Sequence, residues 1–204
     1  MGRFDDKIVI VTGAGGGIGR AAAVRFADEG ARVLAVDVND SLVEQTAAVV
    51  ESAGQTLQVV NSDVSNAADV ERYVDVAVND LGGVDVLFNN AGIEGVVAPL
   101  DRYPEDIFNQ VMAVNVKGVW LGMRQVAAPM RERGGGVIIN TASVAGLSAV
   151  PTASAYGASK HAVIDITKTA ALELAFRRHL AERRLPSSDR DPHDAIPGRG
   201  DDAG

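Results

Sequence analysis

Cysteine is absent from this chain of 204 residues. Disulfides are thereby excluded, and no thiolate can bind a metal or act as a nucleophile. Histidine is scarce: His161, His179 and His193 are the three, and none stands at metal-ligand spacing with carboxylates. Positive charge is in deficit, with 19 Lys and Arg against 27 Asp and Glu and a formal net charge of −8. Without a basic surplus to neutralise phosphates, nucleic acid and anionic membrane are poor partners. No apolar run approaches the ~18 residues of a membrane span. Residues 1–7 are polar and lack a signal-peptide core. A soluble, cytoplasmic protein is the expectation. What is present is ordinary for a globular domain: 47% hydrophobic and 23% charged residues. The length fits one domain with a substantial core.

Short apolar runs alternate with helical patterns, which predicts βα units and a parallel sheet. Residues 7–12 (KIVIVT) read as a buried strand, 13–19 as a glycine-rich turn and 20–29 as a helix stopped by Gly30. Strands are expected at 32–37, 56–61, 84–88 and 137–141. Helices are expected at 41–53, 66–81, 105–131 and 154–176. Pro129 should distort or end the fourth of these five helices. After residue 175 the composition shifts. Residues 176–204 contain no valine, six arginines and three of the seven prolines. That is the profile of a poorly packed tail. Residues 1–175 are therefore read as one domain and 176–204 as a tail.

Six groups of residues carry chemistry. The first is the turn Gly13-Ala14-Gly15-Gly16-Gly17-Ile18-Gly19, between a strand and a helix. Glycines there let the backbone approach a diphosphate at the positive end of the helix. The second is Asp37 at the end of the second strand. A carboxylate in that place accepts from adenosine ribose hydroxyls and repels a 2′-phosphate. The third is Asn89-Asn90-Ala91-Gly92 after the fourth strand, where nucleotides bind in open α/β sheets; it is also good turn chemistry. Asp63-Val64 closes the third strand. Asp63 suits either an adenine amino group or a helix cap. Asn115 sits in an apolar helix and needs a partner if buried. Sixth, Ser143 precedes Tyr156 and Lys160, which lie four apart on one helical face. An ammonium beside a phenol, whose ordinary pKa is about 10, favours its ionised form and makes it a usable proton donor and acceptor.

Together, Thr12-Gly13-x-x-x-Gly17-Ile18-Gly19, Asp37, Asp63-Val64, Asn89-Asn90-Ala91-Gly92, Asn115, Ser143 and Tyr156-x-x-x-Lys160 resemble the short-chain dehydrogenase/reductase family over residues 7–175. The resemblance implies a Rossmann-type doubly wound parallel sheet in three α/β/α layers. It implies hydride transfer between a nicotinamide and a secondary alcohol or ketone. In that reading Tyr156 moves the proton and Lys160 tunes it and binds the nicotinamide ribose. Ser143 orients the substrate oxygen, and Asn115 supports a water-linked proton relay. Gly13, Gly17, Ile18, Gly19, Asp37, Asp63, Val64, Asn90, Ala91, Gly92, Tyr156 and Lys160 would hold the cofactor. Asp37, with no basic residue at Val38 or Asn39, favours NAD over NADP. The resemblance also implies a homodimer or homotetramer through the two long helices. Ile93, Glu94, Val144, Ala145 and Leu147 would line the substrate pocket.

The family pattern continues past the Tyr–Lys helix with a sixth strand, a loop over the nicotinamide, a lid and a seventh strand. None of these is legible here, so the sheet is expected to lack its last one or two strands. A one-base frame shift across residues 182–194 has a codon solution resembling the missing strand and its proline-centred loop. The alternative to an active oxidoreductase is a truncated, non-catalytic chain with at most partial dinucleotide binding. An exposed sheet edge and uncovered helix faces are then expected.

Overall fold

The structure, a computed structural model, describes residues 2–182, with side chains through residue 175. Five parallel strands form one sheet in the order β3-β2-β1-β4-β5. They are β1 (Ile8–Thr12), β2 (Arg32–Asp37), β3 (Leu57–Asn61), β4 (Val86–Asn89) and β5 (Val137–Asn140). Parallel strands covered on both faces read as continuous apolar runs rather than alternations. All five residues of β1 are buried accordingly. Helices α1 (Gly17–Asp28) and α2 (Asp40–Ser52) cover one face. Ala23, Ala27, Val43 and Val50 pack there against Val9, Val11, Val33 and Ala35. On the other face lie α3 (Ala67–Val76) and α5 (Val119–Glu132). Val70, Tyr73, Val126 and Met130 meet Ile10, Leu34 and Leu87 there.

Four elements differ from expectation, and the first is the helix expected over 66–81, which is α3 to Val76 and then a π-helical turn (Ala77–Leu81). Helix α1 begins at Gly17 rather than residue 20, because the Arg20 amide already bonds Gly16 O at 3.0 Å. The helix expected over 105–131 divides into α4 (Glu105–Met112), a wide π-helical turn (Ala113–Gly118) and α5. The wide turn carries Asn115 inward, and Gly118 lets the backbone approach Val64. A Cβ at Gly118 would lie 2.9 Å from Val64 Cγ2. Pro129 lies inside α5, close enough to its end that the helix continues to Glu132. Finally, α6 (Ser154–Glu182) runs past residue 176. Arg177, Arg178, Leu180, Ala181 and Glu182 are good helix formers, and the next proline is Pro186. The remainder of the expected tail, and most of the stretch read for a frame shift, lie outside the described residues.

The expected bare edge is present among the described residues. β5 ends the sheet, and Val137 and Ile139 on it are 55% and 43% exposed. Their neighbour Ile138 faces the other way, toward Val163 and Met123 of α6 and α5. A groove of about 630 Å³ runs beside β5, lined by Met130, Ile138, Ala171 and Leu174 among others. No described helix is long and apolar enough to cross a membrane.

Asp85 ties the starts of three strands together. Its carboxylate accepts from the Ile8 amide at 2.9 Å and from Arg133 at 3.0 Å, with Lys7 at 3.6 Å. Its own amide bonds Ile8 O, and its carbonyl accepts from Val137 N, each at 2.9 Å. Burial pushes this carboxyl's pKa up. The Ile8 amide, Arg133 and Lys7 outweigh burial and leave it below its ordinary value. A depressed carboxyl contributes stability above its unfolded pKa of about 3.9, and loses it as pH falls through the folded value. The Asp85→Asn variant should therefore be less stable than the unmodified chain at pH 6, with the gap narrowing toward pH 3. Urea unfolding across that range measures it; a gap that widens toward acid contradicts the assignment.

Candidate active site

The strand order reverses direction at β1. From β1 the chain moves to β2 and β3 on one side, then crosses to β4 and β5 on the other. Ligand crevices in open α/β sheets form at the carboxyl ends of strands at such a reversal. The glycine turn after β1 and Asn89-Asn90-Ala91-Gly92 after β4 face each other there. Thr12 joins them: its hydroxyl accepts from Asn90 N at 3.0 Å and Ala91 N at 3.1 Å. The Asn90 side-chain amide returns to Thr12 O at 3.2 Å and Gly13 O at 3.5 Å. Asn90 thus braces the turn with its side chain. Thr12 entered the sequence reading only as a motif letter, yet its hydroxyl is the junction.

Gly13 takes φ +67° and Gly19 closes on it. A Cβ at Gly19 would sit 2.0 Å from Gly13 O and 2.7 Å from Asn90 Nδ2, so no side chain fits. A Cβ at Gly16 or Gly17 would meet nothing within 4 Å. That open space fronts the first turn of α1, whose amides have no helical acceptors, and Ile18 beside it is 65% exposed. Donors, positive helix end and empty volume suit a diphosphate. Asp37 borders the turn, its Oδ2 accepting from Gly15 N and its Oδ1 from Asn39 N, both at 2.9 Å. Each oxygen keeps a lone pair for a diol.

Asp63 Oδ1 accepts from the amide and hydroxyl of Ser65, both at 2.8 Å. It is not the helix cap: Asn66 caps α3, accepting from Ala68 N at 2.9 Å. Val64 is buried beneath the π-helical turn.

Asn115 is fully buried. Its Oδ1 accepts from Ile93 N at 2.8 Å, and its Nδ2 donates to Ile93 O at 2.8 Å and Ser159 Oγ at 3.0 Å. Both amide protons are engaged, and Oδ1 accepts one of the two bonds it can take. A Cβ at Gly92 would be 3.3 Å from that oxygen and 3.7 Å from Lys160 Nζ. Lys160 is 4% exposed and donates to Thr141 O at 2.7 Å. Burial pulls its pKa below the ordinary lysine value. Its ammonium lies 5.5 Å from the centre of the Tyr156 ring. The Tyr156 hydroxyl makes no hydrogen bond among the described residues. Ser143 opens a short 3₁₀ turn (Val144–Gly146) and its Oγ accepts from Ala145 N at 3.2 Å. That turn packs on α6 so closely that a Cβ at Gly146 would lie 2.6 Å from Lys160 O. Of the expected pocket residues, Val144 and Leu147 are 78% and 76% exposed, whereas Ala145 is buried against α6. Glu94 is exposed and Ile93 half-buried.

A family model described as short chain dehydrogenase matches residues 7–178. The chain is similar to a levodione reductase of Leifsonia aquatica, 42% identical over 173 residues, 84% of this chain and 65% of the relative. It is also 41% identical over 175 residues to a 3beta-hydroxysteroid dehydrogenase of Mediterraneibacter gnavus, 86% of this chain and 63% of the relative. Among solved structures, an NAD+-bound xylitol dehydrogenase superposes with a TM-score of 0.82 at 42% identity, covering 85% of this chain and 66% of that one. The chain thus spans about two thirds of the length of the relatives it matches.

The two kinds of glycine should separate experimentally. Gly19→Ala drives a Cβ into fixed backbone and should cost ~1–3 kcal/mol of stability. Gly16→Ala enters open space and should leave stability unchanged to within ~0.5 kcal/mol, yet crowd a bound diphosphate. Urea unfolding of both variants, with NADH titration of the second, checks the assignment.

Proposed function

The chain belongs to the short-chain dehydrogenase family, and on that footing we propose that it transfers a hydride between NAD(H) and a secondary alcohol or ketone. The observation that carries this reading is the buried Lys160 ammonium, held by Thr141 O at 2.7 Å and 5.5 Å from the Tyr156 ring. A buried ammonium without a carboxylate partner is costly to keep. Among the described residues no carboxylate pairs with Lys160, so its charge faces Tyr156 and the crevice.

The positions support the following roles. When bound, the nicotinamide dinucleotide supplies the hydride chemistry. Tyr156 takes the hydroxyl proton of an alcohol at its phenolic oxygen, or returns it to a ketone oxygen. Lys160 attracts the negative charge that Tyr156 carries once its proton is gone, and its remaining ammonium protons suit a ribose hydroxyl. Ser143 Oγ donates to the reacting oxygen. Asn115 fixes Ile93 against α6, and its Oδ1, close to Gly92, can accept one more bond, which suits a water of a proton relay. The turn from Gly13 to Gly19, with Ala91 and Gly92 opposite it, would take the dinucleotide, and Asp63 and Val64 the adenine side. Asp37, an anion beside the turn, supports NAD over NADP by repelling a 2′-phosphate.

The xylitol dehydrogenase structure, described as NAD+-bound, supports the same cofactor. Exposed Val144 and Leu147 suit a substrate with an apolar body. We also propose self-association through α4 and α5, where Phe108 and Trp120 are 38% and 47% exposed. A second reading is dinucleotide binding without turnover. It is favoured by the uncovered Val137 and Ile139 on β5.

Two measurements test the proposal. Tyr156→Phe should bind NADH as the unmodified chain does and lose turnover ~10²-fold or more on secondary alcohols, the scale of one proton-transfer group. Retained turnover in the variant sinks the proton role. NADH binding by the unmodified chain without turnover selects the second reading. Asp37→Ser should strengthen NADPH binding relative to NADH in fluorescence titrations. An unchanged ratio removes Asp37 from the discrimination.

A further inference from the structure

The glycine turn holds its shape through two side chains that no motif marks. Arg20, in the first turns of α1, reaches back over the turn and across to α2. Its guanidinium donates to Gly15 O at 2.5 Å, to Leu42 O at 3.3 Å and to Thr46 Oγ1 at 3.0 Å. Thr46 is fully buried on α2, and its hydroxyl donates to Ala14 O at 2.8 Å. The accounting for this part of the turn is then complete. Ala14 N bonds Val36 O at 3.1 Å. Ala14 O accepts from Thr46, Gly15 N donates to Asp37, and Gly15 O accepts from Arg20. Every main-chain polar group of Ala14 and Gly15 is engaged by protein.

We propose that Arg20 and Thr46 are a positioning pair for the cofactor's diphosphate. They hold the carbonyls of Ala14 and Gly15, so that those oxygens do not oppose an anion at the mouth of α1. The argument rests on charge and entropy. A carbonyl oxygen turned toward a phosphate repels it, and a free glycine turn has many conformations to lose on binding. A guanidinium on one carbonyl and a buried hydroxyl on the other remove both costs before the ligand arrives. Neither residue touches the ligand in this scheme. Its effect passes through Gly15, whose amide is held by Asp37 on the opposite side.

The inference rests on the dinucleotide reading above, and the test separates the two. NADH affinity is measured by fluorescence titration for the unmodified chain and for Arg20→Gln, Thr46→Val, Thr46→Ser and the Arg20→Gln/Thr46→Val double variant. Thermal unfolding is run on the same samples. We expect about a tenfold weaker NADH affinity in each of the first two variants. The double variant should be no weaker than the worse single, because one turn is being released. Thr46→Ser restores the hydroxyl and should recover the affinity lost in Thr46→Val. ADP, which carries the diphosphate without the nicotinamide, should follow the same order. A purely structural role moves the unfolding temperature and leaves the affinity of the folded fraction intact. If Arg20→Gln fails to fold, the Thr46→Val and Thr46→Ser pair decides. An unmodified chain that binds no NADH overturns the dinucleotide reading and this inference with it. Normal binding, with Arg20→Gln and Thr46→Val within twofold of it, overturns this inference alone.

Discussion

The crevice depends on how the ladders of β1 and β4 end. A parallel ladder stops at the carboxyl ends of its strands, and the next main-chain groups must find other partners or water. At β1 and β4 they find each other through Thr12 and Asn90. One hydroxyl accepts two successive amides, and one side-chain amide returns to the carbonyls of Thr12 and Gly13. This interlock fixes the spacing between the glycine turn and the Asn90–Gly92 segment without a ligand. It also explains why Gly19 cannot carry a side chain, since Gly13 O and Asn90 Nδ2 already fill that space. Sheet topology supplies a crevice at this reversal; the interlock gives it a width.

The second end of the site is held by a different kind of constraint. Lys160 and Ser159 point inward from α6, and Asn115 points inward from a helix that widens to let it do so. An amide buried at 0% exposure needs partners for both its oxygen and its nitrogen. Ile93 and Ser159 meet that need, so the loop after β4 and the helix bearing Tyr156 are bound to one side chain. Thr141 extends the link. Its carbonyl receives Lys160, and its hydroxyl donates to Asn90 at 3.3 Å. A continuous path of hydrogen bonds therefore runs from Lys160 through Thr141 and Asn90 to the turn at Thr12 and Gly13.

Much of this was legible in the sequence, and the parts that were not share a cause. The strands were legible because burial on both faces writes itself as runs such as Ile8-Val9-Ile10-Val11. The turn was legible because only glycine suits the positive φ at Gly13 and the 2.0 Å contact at Gly19. Asn115 was legible as a polar residue among valines, but the π-helical turn around it was not. A wide turn is set by a partner across the chain, here Ile93 twenty-two positions earlier, and local propensity contains no trace of it. Helix α6 runs to Glu182, past the shift in composition at residue 176. Arginine and leucine are helix formers wherever they stand.

Arg20 is the clearest instance of what sequence reading loses. At the start of an amphipathic helix an arginine looks like a solvated charge, and that is the correct expectation for most. Its role depends on three acceptors, of which Leu42 O and Thr46 lie on the next helix of the same sheet face. That placement is a product of the β1-α1-β2-α2 winding, which lays α2 beside the mouth of α1. Asp37 reaches the same turn from β2, so one βαβ unit and its following helix supply both a cation for Gly15 O and an anion for Gly15 N. The glycines that motif reading singles out are therefore half of the device. Their freedom lets the turn adopt its shape, and the charged groups on either side remove the freedom that glycine brings.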